Sequence, residues 1–422
     1  MKTTARAALT TLASLAFLAP RFAAAQEFAL RDGDRVVFYG DSITEDGRYA
    51  QAIETYVATR FPEWTMAFHN SGVGGDKVSG GWAGNAETRL ERDVIAWKPT
   101  VVTIMLGMND ASYKAFDPAV FDAYTQGYRK IVARLKEALP DVRLTLIQPS
   151  TFDDVTRPVG FPEGYNAVLK RYAAFVQELG REAEATVVDL NGPLVAGLEK
   201  VNKSNPALAR QIIPDRVHPG AAGHLVMAGA LLRAWKAPAS VTRVEIESSA
   251  AGSRVLRADN TEVTRLSAKG PYLEWTQTDR ALPLPQSGKD AEVELAELAG
   301  AGIEGLNQQV LRITGLASGR YEVLIDASVI GRYSEAELLA GVNLAREETP
   351  MLRHAQPIAW NVGGRHELEL VRRRLLVDAG DPKSAEAAAT LAVIDARAQQ
   401  ERQSLGRPTA RRYEVRRSFA FR

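Results

Sequence analysis

Residues 36–44 read VVFYGDSIT, and this stretch decides the fold of the first half of the chain. Four apolar residues form a short strand that ends at Gly40. Because glycine carries no Cβ, the backbone can turn sharply there toward a helix. Such a turn exposes Ser42 at the carboxyl edge of the sheet, where ligands bind in open α/β folds. The same turn also fits a strand-to-helix connection in which Asp41 or Ser42 only caps the helix.

Outward from this stretch, short apolar runs alternate with amphipathic helical stretches. Continuous apolar strands are typical of a parallel sheet that is covered on both faces. The alternation predicts a doubly wound α/β domain over residues 26–236. The predicted strands are 36–39, 66–69, 101–106, 142–147 and 186–190, and the predicted helices are 48–61, 86–97, 118–139, 165–183 and 221–235.

The pattern changes after residues 236–240, which read KAPAS and have the composition of a linker. Residues 241–422 are predicted to form a β-rich accessory domain with a C-terminal helix at 384–405, for which Ser384 is the predicted N-cap. The other predicted elements are strands at 241–248, 309–314, 320–327 and 412–417 and a helix at 334–340.

Two features of this second region allow a binding role or a plain structural one. Tyr272, Trp275 and Trp360 are aromatic residues of the kind that stack on sugars, although such residues more often fill a core. The C-terminal end is rich in arginine, which fits either a solvated basic face or a contact with an anionic polysaccharide.

Composition excludes several classes of function. The 422 residues carry a net charge of +1, which gives no reason to expect nucleic acid or an acidic membrane as a partner. The chain contains no cysteine, so a cysteine nucleophile, a disulfide framework and a thiolate metal site are all excluded.

The first 25 residues have the pattern of a secretory signal peptide. Lys2 and Arg6 precede the apolar stretch 7–20, and alanines at 23–25 offer a cleavage site. The apolar stretch is shorter than the roughly 20 residues that span a bilayer. Cleavage leaves 49 basic against 51 acidic residues, a net charge of −2, and no integral membrane segment. We expect a periplasmic or secreted bacterial protein; the alternative is a buried N-terminal helix.

A nucleophilic serine needs a base, and His218 is the best candidate. It is the one histidine with a carboxylate three residues before it, at Asp215. A short loop can fold this carboxylate onto the far ring nitrogen and support the imidazolium that forms in catalysis. A capped loop histidine and a metal pair are the alternatives, but a metal needs more converging ligands than the sequence offers elsewhere. The other histidines are His69, His224, His354 and His366.

Acyl transfer also needs donors for the oxyanion, and losing one costs about 100- to 1,000-fold in rate. Residues 69–76 read HNSGVGGD, follow the second strand and can present an unobstructed backbone N–H. Residues 105–110 read MLGMND and end the third strand, so the Asn109 amide can point to the same edge. Each stretch alone is common loop chemistry, but the two at successive strand ends favour a catalytic site.

Together these stretches resemble the SGNH (GDSL-type) hydrolases, over about residues 34 to 236. The matching residues are Gly40-Asp41-Ser42, then Asn70 with Gly75-Asp76, then Gly107-Met108-Asn109-Asp110, and finally Asp215 with His218-Pro219. The first block continues Ser-Ile-Thr where the GDSL name has Ser-Leu, a departure that leaves the triad untouched.

The resemblance implies a three-layer α/β/α, flavodoxin-like fold and a serine esterase that uses no metal and no cofactor. Ser42, His218 and Asp215 would form the triad. The Ser42 N–H, the Gly75 N–H and the Asn109 amide would form the oxyanion hole. The remaining motif residues would play supporting roles; these are Gly40, Asp41, Asn70 and Asp110.

Three functions fit this sequence. A carbohydrate O-acetylesterase is favoured, because the chain looks similar to exported bacterial SGNH proteins with an added C-terminal domain, several of which act on acetylated carbohydrates. A hydrolase of small esters, lipids or thioesters is the second. An acetyltransferase or a catalytically silent glycan-binding module is the third, although a complete triad argues against silence. The expected partner is a small-molecule or carbohydrate ester, and the sequence predicts no oligomeric state.

Overall fold

The computed structural model describes residues 27–249, 252–269, 272–286, 290–377 and 381–418. The signal peptide predicted for residues 1–25 lies outside the described residues. Within them, no helix is both long enough and apolar enough to cross a membrane.

A parallel five-stranded sheet forms the centre of the N-terminal half, in the order β2-β1-β5-β6-β7. The strands of this half are β1 (Arg35–Gly40), β2 (Ala67–Gly72), the short pair β3 (Gly80–Gly81) and β4 (Gly84–Asn85), β5 (Val101–Met105), β6 (Arg143–Ile147) and β7 (Thr186–Val188). The helices are α1 (Ser42–Asp46), α2 (Arg48–Arg60), α3 (Ala86–Asp93), α4 (Pro118–Ala138), α5 (Tyr165–Glu182), α6 (Asn191–Ser204), α7 (Pro206–Ala209) and α8 (Ala221–Ala234).

Helices cover both faces of this sheet. Successive side chains of a strand point to opposite faces. Phe38 of β1 packs edge-to-face on Tyr49 of α2, whereas the next residue, Tyr39, lies beneath the Arg89 guanidinium of α3. α2 packs against α8, and α4 contacts both α3 and α5. The predicted three-layer α/β/α architecture is therefore confirmed.

Three strand ends meet at the carboxyl edge of the sheet. Gly40 at the end of β1 is in register with Gly72 of β2 and with Met105 of β5. The segments that follow β1, β2 and β5 therefore start side by side. The backbone alone thus brings together the first three of the four motifs.

The five predicted strands and five predicted helices of this half are all present, with ends that differ by a few residues. Helix α6 was not predicted. It begins with Asn191-Gly192-Pro193, a sequence typical of turns, and the Asp189 carboxylate accepts a hydrogen bond from the Gly192 N–H at 2.9 Å. Because its first residues are typical of a turn, the sequence pattern did not indicate that α6 begins there.

The C-terminal half is β-rich, as predicted, and its described residues form two sheets. One has the order β10-β11-β16-β13-β14, and the other has the order β15-β12-β8-β9. The strands are β8 (Ser240–Ser249), β9 (Gly252–Asp259), β10 (Thr261–Lys269), β11 (Tyr272–Asp279), β12 (Gln308–Thr314), β13 (Arg320–Ile325), β14 (Ser328–Ser334), β15 (Val342–Asn343) and β16 (Arg411–Arg417). Two short helices accompany them, α9 (Ala291–Leu298) and α10 (Glu335–Ala340).

Two differences from the predicted strands and aromatic residues have simple causes. The strand predicted to run to residue 327 ends at Ile325, because Asp326 and Ala327 adopt positive φ and form the turn to β14. Trp275 is buried and stacks on Tyr413 at 5.2 Å between ring centroids, so it fills the core. Trp360, by contrast, is exposed.

A pair of long helices completes the chain, α11 (Pro350–Val377) and α12 (Pro382–Leu405). Only the second was predicted, and its predicted N-cap was wrong. Asp381 caps α12 by accepting the Lys383 N–H at 3.2 Å, and Ser384 lies inside the helix. The two helices pack on each other, and α11 also packs on α2 and β2. We call this pair the helical hairpin.

Candidate active site

Ser42, His218 and Asp215 form a continuous hydrogen-bonded chain. Ser42 is the first residue of α1, and one residue, Asp41, separates it from the end of β1. Its Oγ lies 2.8 Å from His218 Nε2, and His218 Nδ1 lies 2.6 Å from Asp215 Oδ2. The structure thus joins residues 176 positions apart in the geometry of a nucleophile, a base and a group that orients the base.

The Asp215 carboxylate is held by its own loop. Its Oδ1 accepts the N–H of Val217 at 3.0 Å and of His218 at 2.7 Å, which leaves Oδ2 free for the ring. Burial alone would raise the pKa of Asp215, but the hydrogen bonds from His218 and Val217 outweigh it and lower that pKa. The carboxylate therefore stays charged and can support an imidazolium.

The loop after β6 anchors the 215–218 loop. Arg216 adopts a φ of 79°, a left-handed conformation that a non-glycine residue needs support to hold. Its carbonyl accepts the Asp153 N–H at 2.9 Å, and its guanidinium donates to Asp154 Oδ1 at 2.7 Å. Neither aspartate was singled out from the sequence, because the β6 loop carries no recognisable motif.

Gly75, the predicted oxyanion donor of the second motif, lies in the turn after β2 with its N–H unoccupied by the described residues. It has a φ of 77° and lies exposed in the turn after β2. The neighbouring Gly74 N–H is occupied by Glu45 Oε2 at 2.9 Å. Among the residues that the structure describes, the Gly75 N–H has no protein acceptor. The Ser42 N–H, at the first position of α1, has no intrahelical acceptor either.

Asn109 supplies a side-chain amide whose orientation is fixed from both ends. Tyr113 donates its hydroxyl to Asn109 Oδ1 at 2.8 Å. One hydrogen of Nδ2 goes to the Asp76 carbonyl at 3.1 Å, so the other hydrogen remains available. Tyr113 was missed in the sequence, since a tyrosine four residues after an asparagine is not a signal.

The supporting motif residues tie the strand ends together. Gly40 has no room for a Cβ, which would stand 2.3 Å from Thr44 Oγ1 and 2.8 Å from the Met105 carbonyl. Asn70 donates to the Thr44 carbonyl at 2.5 Å and accepts the Gly72 N–H at 2.9 Å. Gly40 and Asn70 therefore set the position of α1, the helix that carries Ser42.

Two buried aspartates brace the same loops. Asp41 caps α1 by accepting the Ile43 N–H at 3.0 Å, and burial raises its pKa to about 7. Asp110 accepts the Val78 N–H at 3.0 Å, and burial raises its pKa to about 6. Their contacts are to backbone, so both are structural parts of the site.

Trp82 lies beside residues 73–76, which we call the glycine loop. Its indole N–H donates to the Gly74 carbonyl at 3.1 Å, yet the residue is 60% exposed. Trp82 could not be selected from the sequence, because the short β3-β4 ribbon that carries it is too small to predict. In the described part of the chain, no three histidine, aspartate or glutamate side chains group as metal ligands.

Residues 38–226 match the model of the GDSL-like lipase/acylhydrolase family. The matched region is a GDSL (SGNH) hydrolase domain, and the family together with the relatives described next supports carboxylic ester hydrolysis.

Two relatives extend this comparison. An acetylxylan esterase of Geobacillus stearothermophilus is 27% identical over 226 residues, which cover 48% of this chain and 93% of the relative. The solved structure of a gut microbial diltiazem-metabolizing enzyme matches with a TM-score of 0.81 at 26% identity, covering 92% of this chain and 98% of that one. The second likeness therefore includes the C-terminal half.

Proposed function

We propose that the protein is an exported serine esterase that removes O-acetyl groups from carbohydrates through an acyl-enzyme. The observation that carries the proposal is the chain of hydrogen bonds from Ser42 through His218 to Asp215. The similarity to an acetylxylan esterase along almost the whole length of that relative supports the acetylated-carbohydrate substrate.

In the first half-reaction, Ser42 Oγ attacks the ester carbonyl while His218 Nε2 takes its proton. The oxyanion receives hydrogen bonds from the Ser42 N–H, the Gly75 N–H and the Asn109 amide. His218 then donates the proton to the departing sugar hydroxyl, which leaves the acetyl group on Ser42. Asp215 holds the imidazole and balances its positive charge.

In the second half-reaction, water takes the place of the alcohol. His218 removes a proton from water as it attacks the acyl-enzyme carbonyl, and the same donors stabilise the second oxyanion. Collapse releases acetate and returns the proton to Ser42. If an acceptor hydroxyl arrives instead of water, the same residues carry out acetyl transfer.

Trp82 favours a carbohydrate as the alcohol part of the substrate. Its indole ring is fixed by the Gly74 carbonyl, and most of its surface is exposed to solvent next to the glycine loop. An exposed aromatic face with its polar N–H already satisfied offers a stacking surface for a sugar ring.

The test is hydrolysis of p-nitrophenyl esters from acetate to octanoate and of acetylated xylo-oligosaccharides, by wild type and by Ser42→Ala. The proposal expects acetate to be the preferred acyl group, acetate release from the oligosaccharides, and no turnover by a folded Ser42→Ala. Faster cleavage of longer esters would support a lipid or thioester hydrolase. Acetylated products formed on added glycans in place of free acetate would support a transferase.

A further inference from the structure

The helical hairpin takes the position of a missing strand. β2 is the edge strand of the parallel sheet, so one side of its backbone has no strand partner. Buried backbone groups without partners cost free energy, and proteins cover such edges. Here α11 lies along the edge and bonds to the backbone of β2, and α12 bonds to the residue before the strand.

Three residues of α11 follow the strand in register. Arg365 donates to the Phe68 carbonyl at 3.4 Å. Glu369 accepts the Asn70 N–H at 3.1 Å. Arg373 donates to the carbonyls of both Asn70 and Gly72.

The register has a geometric reason. Residues four apart on a helix advance about 6 Å, and residues two apart on a strand advance about 6.6 Å. Side chains at every fourth position of α11 can therefore meet every second residue of β2. The planar fork of an arginine suits two neighbouring carbonyls, which explains why Arg373 spans Asn70 and Gly72.

The end of this ladder lies next to the catalytic groups. Arg373 approaches Glu45 Oε1 at 3.9 Å, and Glu45 Oε2 accepts the Gly74 N–H. Gly72 packs so closely on α1 that a Cβ there would stand 2.2 Å from the Glu45 nitrogen. Arg373 thus holds the strand end from which the glycine loop starts, and it faces the carboxylate that holds that loop.

We propose that Arg373 is a positioning residue for the glycine loop, so that the added helical hairpin is part of the catalytic apparatus. Arg373 touches neither the serine nor the expected place of the substrate. It acts by fixing the carbonyls of Asn70 and Gly72 and by orienting Glu45, and through them the Gly75 N–H. This inference rests on the proposed esterase function.

Arg402 provides a matched control. Like Arg373 it is 5% exposed, lies in the hairpin and donates to a backbone carbonyl, that of Met66 at 3.1 Å. It also pairs with the Glu54 carboxylate, as Arg373 faces that of Glu45. Met66 immediately precedes the start of β2, at the end of the strand far from Ser42. Loss of either arginine removes a buried charge from the same interface, but only Arg373 lies at the catalytic end.

The experiment measures kcat, KM and thermal unfolding for wild type, Arg373→Ala, Arg373→Lys, Arg402→Ala and Ser42→Ala with p-nitrophenyl acetate. A displacement of about 1 Å at a catalytic group can cost on the order of 100-fold in rate. We expect Arg373→Ala to lower kcat at least about tenfold with little change in KM, and Arg373→Lys to recover part of the loss. Arg402→Ala should lose comparable thermal stability and keep its kcat.

A further variant tests the route through Glu45. Glu45→Ala should lower kcat, and the double variant with Arg373→Ala should lose less than the product of the two single effects, because both act on one loop. Unchanged kcat in Arg373→Ala, or equal losses in Arg373→Ala and Arg402→Ala, would overturn the inference. An inactive wild type, or an active Ser42→Ala, would instead refute the proposed function.

Discussion

The proposed role of Asp215 depends only on its charge and on how it orients His218. Its side chain is 57% exposed, so its contribution to folding is small, yet it accepts hydrogen bonds from the His218 ring and from the N–H groups of His218 and Val217. An amide at this position cannot stabilise the imidazolium and can present an N–H where the ring needs an acceptor.

We therefore expect Asp215→Asn to fold normally and to lose about four orders of magnitude in kcat. Steady-state kinetics with p-nitrophenyl acetate, together with circular dichroism, checks both parts. Turnover close to wild type would remove Asp215 from the triad.

Trp82 permits a test of substrate class at one side chain. We expect Trp82→Ala to raise KM for acetylated xylo-oligosaccharides several-fold and to leave p-nitrophenyl acetate kinetics nearly unchanged, because only the sugar needs a stacking surface. Trp360→Ala, which also removes an exposed tryptophan but on the helical hairpin, is the control. Equal effects of Trp82→Ala on both substrates would mean that the indole supports the loop and not the sugar.

Asp41 links the site to pH-dependent stability. Burial raises its folded-state pKa from an ordinary value of 3.8 to about 7. Between those values the folded protein keeps a proton that the unfolded chain has lost, so this residue's contribution to stability falls as pH rises through that window. The substitution Asp41→Asn keeps an N-cap acceptor and removes the titration.

We expect the Tm of Asp41→Asn relative to wild type to increase between about pH 4 and about pH 7 and to level off above. Calorimetry of both proteins across this range measures the difference directly. A difference that is independent of pH would mean that Asp41 is already ionised in the folded protein.

At the scale of elements, the contact between β2 and α1 decides where Ser42 stands. A Cβ on Gly72 would lie 2.2 Å from the Glu45 nitrogen and 2.4 Å from the Thr44 carbonyl carbon, both backbone atoms. Gly72→Ala should therefore displace α1, lower Tm and reduce kcat by about 100-fold or more. Gly160→Ala is the control, since a Cβ there meets nothing within 4 Å. Normal kinetics in Gly72→Ala would show that the helix tolerates the shift.

The five strands of the parallel sheet and five of the helices of the catalytic half could be predicted because each one buries an apolar face. The strands are continuous apolar runs and the helices carry apolar stripes, so periodicity locates them. The proposed site residues could be selected for a related reason, since Ser42, Gly75 and Asn109 lie just after strand ends that the pattern marks. Arg216 shows the limit, because its left-handed backbone depends on a loop distant in sequence.

Helix α11 was not predicted, because the buried face of its second half is charged. Arg365, His366, Glu369 and Arg373 are all buried against the catalytic half. Pro357 and the adjacent Gly363 and Gly364 interrupt the helical pattern further. Apolar periodicity therefore indicates an exposed or irregular segment, although α11 contacts both the β-rich region and the catalytic half.

At the scale of the whole molecule, α11 joins the two halves. Its first half contributes Met351, Ala355 and Ile358 to the core of the β-rich region, and its second half binds the edge of the catalytic sheet. Glu54 of α2 lies at the centre of this junction, where it accepts hydrogen bonds from Arg365 and Arg402. Asp395 of α12 accepts a further bond from Arg365 at 2.7 Å.

Removing Glu54 leaves two buried guanidinium groups, of which Arg365 keeps its hydrogen bond to Asp395 and Arg402 loses its hydrogen-bonded carboxylate. Breaking a buried ion pair on one side costs roughly 3–5 kcal/mol, because the remaining charge is desolvated without compensation. We expect Glu54→Ala to lower the free energy of unfolding by about that amount. Hydrogen exchange should also become faster in α11 and α12 than in β5 and β6, because the junction opens first.

Glu182→Ala is the matched control, since Glu182 pairs with Arg129 on the exposed surface of the catalytic half. A solvent-exposed pair of this kind contributes little, so the control should unfold almost as wild type does. If Glu54→Ala and Glu182→Ala have equal effects, the charged junction does not hold the halves together. Stability would then rest on the apolar contacts of α11 and of α9, which packs against α8.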